Sequence, residues 1–393
     1  MRVAVICSDM TYPPREGLHA HTVNLIRSMR TFGHSVDVFG FVRDPSLIDE
    51  IQLSRDAGVS FASAPIHYQG QMLRRAFRER VFASRSARAL ADQVRAGGYQ
   101  VVHLDGNLAS ATAGLLDGLP RVISFVDPPS RRQRRAAAGS SRTQRWAALL
   151  RAAVTTRFEK SLVDERSLWH VVSSSDAAYL REVHPGQPVV SVPIFMPSGR
   201  VTEAPFVGKT ESSALVHVGV VADTRQAYLR SDVVRTLEAL RSSDLRKDVR
   251  VTVLGRATAD DVMTDLLADL GGTYLPWVDD LDAFLGTLDV AVLPDTYGTG
   301  IKSRALELAG AGVPMVATAV ALEGIEMVGE RDVLVSSDDN FLAQLGRLVG
   351  SRALRNEIAR NASVVCAELF GAQSVAAQWD RAYAAAIDLA RST

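Results

Sequence analysis

The residues best suited to chemistry lie between Leu293 and Thr318. Leu293-Pro294-Asp295-Thr296-Tyr297 leads into Gly298-Thr299-Gly300-Ile301-Lys302, followed by Ser303–Ala311, Gly312-Val313-Pro314 and Met315–Thr318. The order reads strand, glycine-rich turn, helix, glycine stop, strand. Gly298 and Gly300 lack a Cβ and let the backbone approach a ligand closely. The helix behind them aims its N-terminal amides and positive dipole end at the turn. Lys302 adds a full positive charge in the first helical turn, and together these features suit a diphosphate. Glu307 follows about one and a half turns later, where its carboxylate can accept hydrogen bonds from vicinal hydroxyls such as those of a ribose. Taken alone, two glycines and a lysine fit a plain turn equally well, and Glu307 a surface helix position.

Such a turn needs a sheet to carry it. At 393 residues the chain exceeds the size of one hydrophobic core, so two domains are expected. Lys+Arg and Asp+Glu both total 44, so bulk charge points to no polyanionic partner and any electrostatic signal must be local. Short apolar runs alternate with helical patterns, which marks an α/β protein with parallel sheets. Strands are expected at Val3–Cys7, Ser35–Gly40, Val101–Leu104, Val122–Val126 and Val189–Phe195, with helices at Ala20–Thr31, Asn107–Leu116 and within Met72–Arg95. A second series of strands is expected at Ala214–Val218, Val251–Leu254, Thr273–Leu275, Val290–Leu293, Met315–Thr318 and Val333–Val335, with helices between and after them. The division is 1–197, a linker over 198–213, 214–370, and a C-terminal helix over 371–393 that can pack back on the first domain. Two doubly wound, Rossmann-like domains would face a central cleft, with ligands at the carboxyl ends of the strands.

His103, Asp105 and Asp127 fall at the ends of expected strands and so toward that cleft. Asp127 could bind an acceptor hydroxyl or assist its deprotonation, or simply open the Pro128-Pro129-Ser130 turn. His19 and His21 have a spacing compatible with metal, but no Cys, His or Asp cluster accompanies them, so no metal site is expected. His19, near the cleft, is the better functional candidate. Cys7 and Cys366 make no metal motif and read as buried free thiols. Neither a secretory pattern nor an apolar run of about 20 residues is present, which points to a cytoplasmic protein. Between Ser130 and Lys160 lie Arg131, Arg132, Arg134, Arg135, Arg142, Arg145, Arg151 and Arg157, and Glu159 is the first acid. A solvated helical face is one reading. Peripheral contact with an anionic membrane, or with a phosphorylated lipid acceptor, is the other. Nucleic acid is not expected, because no aromatic residues interleave the arginines.

The run Gly298-Thr299-Gly300-Ile301-Lys302, then Leu306-Glu307, Gly312-Val313-Pro314 and Glu323-Gly324, resembles the donor-binding motif of GT-B retaining glycosyltransferases. It is most similar to the family 4-like group (glycosyl transferases group 1) and its Gly-Thr-Gly-Ile-Lys subgroup. Other segments follow the same order. Val216-His217-Val218-Gly219 with Asp223-Thr224-Arg225 resembles the opening of that family's donor domain, which implies Gly219 near the donor and Arg225 on its diphosphate, with Arg230 a competitor. Val251–Gly255 and Pro276-Trp277-Val278-Asp279-Asp280 resemble the next strand-and-glycine and the segment whose backbone receives the base. Pro13-Pro14-Arg15-Glu16-Gly17 resembles the loop whose glycine faces phosphate and acceptor, and only Gly17 remains of the common pair.

The resemblance implies an acceptor-side first domain and a donor-binding second one. It implies sugar transfer to a hydroxyl with retention, using a nucleotide-diphosphate sugar and no metal or other cofactor. Lys302 and Arg225 would stabilise charge on the departing diphosphate. The acceptor would be a small molecule or a lipid-linked glycan, in cell-envelope or secondary-metabolite synthesis. Two departures stand out. Thr299 replaces the first of two acids that many members carry eight positions apart, and Val126-Asp127 replaces a histidine. They leave room for a non-catalytic GT-B partner or sugar-nucleotide-binding module. A nucleotide-sugar 2-epimerase shares the layout but needs several acid/base groups around the sugar.

Overall fold

The computed structural model describes residues 1–8, 12, 17–42, 46, 48–49, 52–53, 60–65, 85–138, 142–196, 215–256, 261–298 and 300–392. The chain divides into two compact units, Met1–Phe195 with Ala372–Thr393, and Met196–Gly371.

The first unit runs β1 (Arg2–Ser8), α1 (Gly17–Thr31), β2 (Ser35–Val42), β3 (Ser60–Pro65), α2 (Arg85–Ala96), β4 (Val101–Asp105) and α3 (Asn107–Ser110). It continues through β5 (Arg121–Val126), α4 (Pro129–Ala138), α5 (Arg142–Lys160), β6 (Ser167–Val171), α6 (Ser174–Val183) and β7 (Val189–Ser191). The strand order is β3-β2-β1-β4-β5-β6-β7, and the pairs are parallel. Val3–Cys7 of β1 and all of β4 are buried, as a parallel strand covered on both faces requires, and Val3–Cys7 is accordingly an unbroken apolar run. The order reverses between β1 and β4, so a crevice opens beyond their carboxyl ends.

The second unit runs β8 (Val216–Val221), α7 (Ala227–Arg241), β9 (Val249–Leu254), α8 (Asp261–Asp269), β10 (Thr273–Leu275), α9 (Leu281–Thr287), β11 (Val290–Leu293) and α10 (Ser303–Gly310). β12 (Met315–Thr318), β13 (Leu334–Ser336), α11 (Phe341–Gly350) and α12 (Arg352–Phe370) complete it. Its parallel sheet is ordered β10-β9-β8-β11-β12-β13, with the reversal between β8 and β11.

The last helix, α13 (Ala372–Arg391), belongs to the first unit. Val375, Trp379, Ala382, Tyr383 and Ala386 recur at helical spacing and are buried with Val3, Val5, Ile26 and Val101. Two local expectations are corrected, and one strand was not expected. The helix expected over Asn107–Leu116 breaks into α3 and a separate 3-10 turn, Ala113–Leu116. The strand expected over Val189–Phe195 stops at Ser191, before Pro193, which has no amide to donate to a ladder. The edge strand β3, Ser-Phe-Ala-Ser-Ala-Pro, is too weakly apolar to announce itself. Residues 72–84 and the linker 198–213 lie outside the described residues.

Candidate active site

In the second unit the glycine-rich turn leaves the carboxyl end of β11, at the point where the strand order reverses. Gly298 has φ 138° and Gly300 φ 70°, so both use conformations that L side chains resist. Lys302 caps α10, and its Nζ donates to the Gly300 carbonyl at 2.8 Å. Its side chain lies over Gly298, where an added Cβ would come within 3.1 Å of Lys302 Cε. The glycine and the lysine are therefore one geometric unit. Ile301 and Lys302 are half-buried, and Thr299 lies outside the described residues. Ala305, Leu306, Leu308 and Ala309 bury one side of α10 and leave Glu307 half-buried.

Three residues that the sequence did not single out hold this turn. Asp232 of α7, 2% exposed, accepts from the Thr296 amide and hydroxyl and also pairs with Arg235 at 2.9 Å. Asp295, 1% exposed, pairs with Arg304 in the first turn of α10. Arg304 also donates to the Val221 carbonyl at the end of β8, at 2.8 Å. The other oxygen of Asp295, Oδ2, is buried with no partner among the described residues. Tyr228 packs edge-on against Tyr297, and burial, with the nearby Asp295 charge, pushes its phenol pKa up.

Arg225 follows β8 on an exposed turn and makes a two-pronged pair with Asp223, Nε to Oδ1 at 2.9 Å and Nη2 to Oδ2 at 2.6 Å. The hydrogen bonds from Arg225 hold the Asp223 carboxyl below its ordinary range. Val278 is half-buried beside Trp277, which is exposed. Gly219 and Gly255 each have a close protein neighbour. A Cβ on Gly219 would meet the Leu288 side chain at 2.5 Å, and one on Gly255 would meet the Ala222 carbonyl oxygen at 2.2 Å. Both glycines allow the protein to pack on itself.

In the first unit, Gly106 (φ 87°) turns the chain out of β4, and its α-carbon lies against Ser8 at the end of β1. Ser8 Oγ accepts from the Ala109 amide at 2.8 Å, tying β1 to α3 across the switch point. Asp105 is buried and accepts from Thr22 Oγ1 at 2.6 Å. Its Oδ1, His21 Nε2 and Asn107 Oδ1 are buried with no partner among the described residues. Burial lowers the His21 pKa, with Asp105 opposing it. Gly17 and His19 open α1, and the His19 side chain lies outside the described residues.

His103 does not line the crevice. It is fully buried, its Nδ1 sits 2.9 Å from the Tyr383 hydroxyl, and its ring lies 5.0 Å from that of Trp379. A mid-strand side chain on this face meets α13, so His103 is a core residue.

Asp127 comes off an unusual turn. Its amide donates to the Phe125 carbonyl at 2.7 Å across Val126, whose φ is 61°. An i to i+2 hydrogen bond over a positive φ is the rare, strained form of γ-turn. It is the more costly for a β-branched residue. The β5–β6 register slips at the same place, between Ser124 and Val126. Strain of this kind persists only where surrounding structure holds it. No group of three or more His, Cys, Asp or Glu side chains able to hold a metal occurs among the described residues.

Residues 213–351 match the family model described as Glycosyl transferases group 1. Over 333 residues the chain is 26% identical to the MMP alpha-(1->4)-mannosyltransferase of Mycolicibacterium hassiacum, covering 78% of this chain and 75% of that protein. The chain is a glycosyltransferase whose match to the group 1 model lies in residues 213–351.

The glycosyltransferase has the GT-B fold. It superposes on sucrose-phosphate synthase from Thermosynechococcus elongatus with a TM-score of 0.69 at 15% identity, covering 98% of both chains. It superposes on Anabaena HepE, solved in complex with UDP and glucose, with a TM-score of 0.68 at 12% identity, covering 98% of this chain and 100% of that one. WaaG, a glycosyltransferase involved in lipopolysaccharide biosynthesis, gives a TM-score of 0.63 at 16% identity, over 94% and 96% of the two chains. Within this glycosyltransferase, the positive end of α10 and the Lys302 ammonium place positive charge together beside the opened turn of the second unit.

Proposed function

We propose that the glycosyltransferase moves a sugar from a nucleotide-diphosphate sugar to an acceptor hydroxyl, with retention of anomeric configuration. The observation that carries this reading is the Lys302 ammonium folded over Gly298 at the N-terminus of α10. A diphosphate at that turn meets amide donors and a full positive charge together. As the sugar–oxygen bond breaks, negative charge builds on the diphosphate, and Lys302 and Arg225 stabilise it. Arg225 reaches the ligand by exchanging Asp223 for phosphate oxygens, which accept the same forked donor. Glu307 holds the ribose, and the backbone near Val278 receives the base. Asp127 receives the acceptor hydroxyl. With two cations and a helix terminus supplied by the chain, transfer needs no bound metal and no other cofactor.

The donor panel begins with UDP-sugars, because HepE binds UDP and glucose on the same fold, and includes mannose donors because of the mannosyltransferase relative. The acceptor is a lipid-linked glycan of the cell envelope, reached from the cytoplasmic side. The WaaG likeness and the arginines of α4 and α5 support this choice. No helix among the described residues is long and apolar enough to cross a membrane.

Calorimetry with nucleoside diphosphates tests the donor site. Lys302→Ala and Glu307→Ala should each weaken binding at least tenfold, and unchanged affinity in both folded variants defeats the assignment. Chelation should leave turnover unchanged, and the anomeric configuration of the product tests retention.

A further inference from the structure

The exposed surface of α5 has a composition that the donor chemistry does not use. Ala148, Ala152, Thr155, Phe158 and Glu159 form its buried side. At 100° per residue, Trp146, Leu149, Leu150 and Ala153 fall on the opposite side. There Trp146 is 70% exposed, Leu150 69% and Leu149 41%. An ordinary surface helix carries polar residues in these positions. Single exposed apolar residues are unremarkable, but a tryptophan and two leucines on one stripe form a patch.

The surrounding charge has one sign. Arg145 and Arg151 are exposed beside the patch on α5, and Arg132 and Arg134 are exposed on α4, which packs against it. No acid occurs between Asp127 and Glu159, and Glu159 is itself buried, where it accepts from the Ser130 amide at 2.8 Å and pairs with His184. Arg131 is not part of this face: it turns inward onto Asp176 and the Tyr179 ring. A chain with equal totals of acids and bases has thus concentrated exposed cations around an exposed apolar stripe.

We propose that this face of α5 is a docking surface for an anionic lipid bilayer. Trp146, Leu149 and Leu150 would enter the headgroup–acyl boundary, where tryptophan is favoured, and the arginines would meet lipid phosphates. A second copy of the chain is a poorer occupant, because apposing two such faces sets arginines against arginines. The purpose of docking rests on the lipid-linked acceptor proposed above, and the measurements keep the two readings apart.

The test uses the full chain with vesicles of phosphatidylcholine alone, and of equal parts phosphatidylcholine and phosphatidylglycerol, in a sedimentation assay. Binding is expected to the anionic vesicles only and to weaken with salt. The Trp146→Ala/Leu150→Ala variant should partition at least tenfold less. Arg145→Gln/Arg151→Gln should lose about tenfold or more, with a flatter salt dependence. Brominated lipid should quench wild-type tryptophan fluorescence, and Trp146→Ala should abolish that quenching. Both double variants alter exposed side chains, so their melting temperatures and nucleoside diphosphate affinities should match the wild type. Three results each overturn the proposal: no binding to anionic vesicles, equal binding to neutral ones, or undiminished binding of Trp146→Ala/Leu150→Ala. Self-association that Leu150→Ala abolishes would also overturn it, in favour of an interface between copies. Failure of the donor assignment would appear separately, as nucleoside diphosphate affinity unchanged in Lys302→Ala and Glu307→Ala.

Discussion

Asp232 of α7 accepts two hydrogen bonds from Thr296, one from its amide at 2.9 Å and one from its hydroxyl at 2.8 Å. A buried carboxylate on one helix thus sets the start of the turn that leads to Lys302. Asp232→Ala should destabilise the protein by about 0.5–1.5 kcal/mol, because it removes two part-buried hydrogen bonds from Thr296, whose exposed donors can turn to water. It should raise KM for the donor more than it lowers kcat, since a loosened turn first costs binding. Asp232→Asn keeps an acceptor oxygen and should recover most of the affinity. Steady-state kinetics alongside a denaturant titration separate these outcomes.

Gly298→Ala introduces a Cβ at φ 138° and within 3.1 Å of the Lys302 side chain. The expected cost is about 1–3 kcal/mol from backbone strain. Nucleoside diphosphate affinity should fall with it, because the turn relaxes and Lys302 is displaced. Calorimetry on Gly298→Ala and Lys302→Ala, singly and together, should show strong non-additivity. Additive losses would mean that the two residues act separately.

Two histidines under α13 make the first unit sensitive to acid. Burial holds the His170 pKa down at about 3 and that of His103 well below its ordinary value. The Val192 carbonyl can only accept, so neutral His170 donates from Nε2 at 2.8 Å, and its Nδ1 accepts from Ser124 at 2.9 Å. Both imidazoles are neutral when folded and take up a proton when unfolded. Their folded pKa values are depressed, so the stability they contribute is complete above an unfolded pKa of about 6.5 and is lost as pH falls below it. Each should remove about 1.4 kcal/mol per pH unit below that point. Melting temperature measured from pH 7.5 to 5 should fall, and His170→Gln should fall less steeply. A flat wild-type profile would rule this out.

Val126 holds φ 61° in the γ-turn that presents Asp127. Val126→Gly relieves a left-handed strain of about 1–2 kcal/mol, partly offset by loss of a half-buried side chain. Stability should be unchanged or slightly raised, while turnover drops because Asp127 is no longer aimed. Reduced kcat at equal melting temperature is the expected result. Unaltered kcat would separate Asp127 from the reaction.

The determinants of the turn and helix in residues 293–318 lie close together in sequence. Glycine at Gly298 and Gly300, the cap at Lys302 and the apolar side of α10 are neighbours along the chain, so residue type and spacing suffice to write the turn. The same holds for the alternation of strands and helices, because burial on both faces of a parallel strand demands a continuous apolar run. His103 shows the limit. An apolar strand announces that its residues are buried, but not what covers each face. The cover is Tyr383, 280 positions away. Gly219 and Gly255 make a related point: along the chain, nothing announces that Leu288 or the Ala222 carbonyl lies where their side chains would be.

Residue types and spacing thus specify the local chemistry: a glycine-rich, lysine-bearing helix N-terminus on an α/β scaffold. Which distant residues hold that chemistry in place emerges only when the chain folds. Asp232 lies 64 positions from Thr296, and Thr22 lies 83 from Asp105. The strain at Val126 arises where β5 and β6 lose register. Hydrogen bonds and packing act over ångströms in space and carry no signature along the chain, so these relationships exist only once the sheet has brought their partners together.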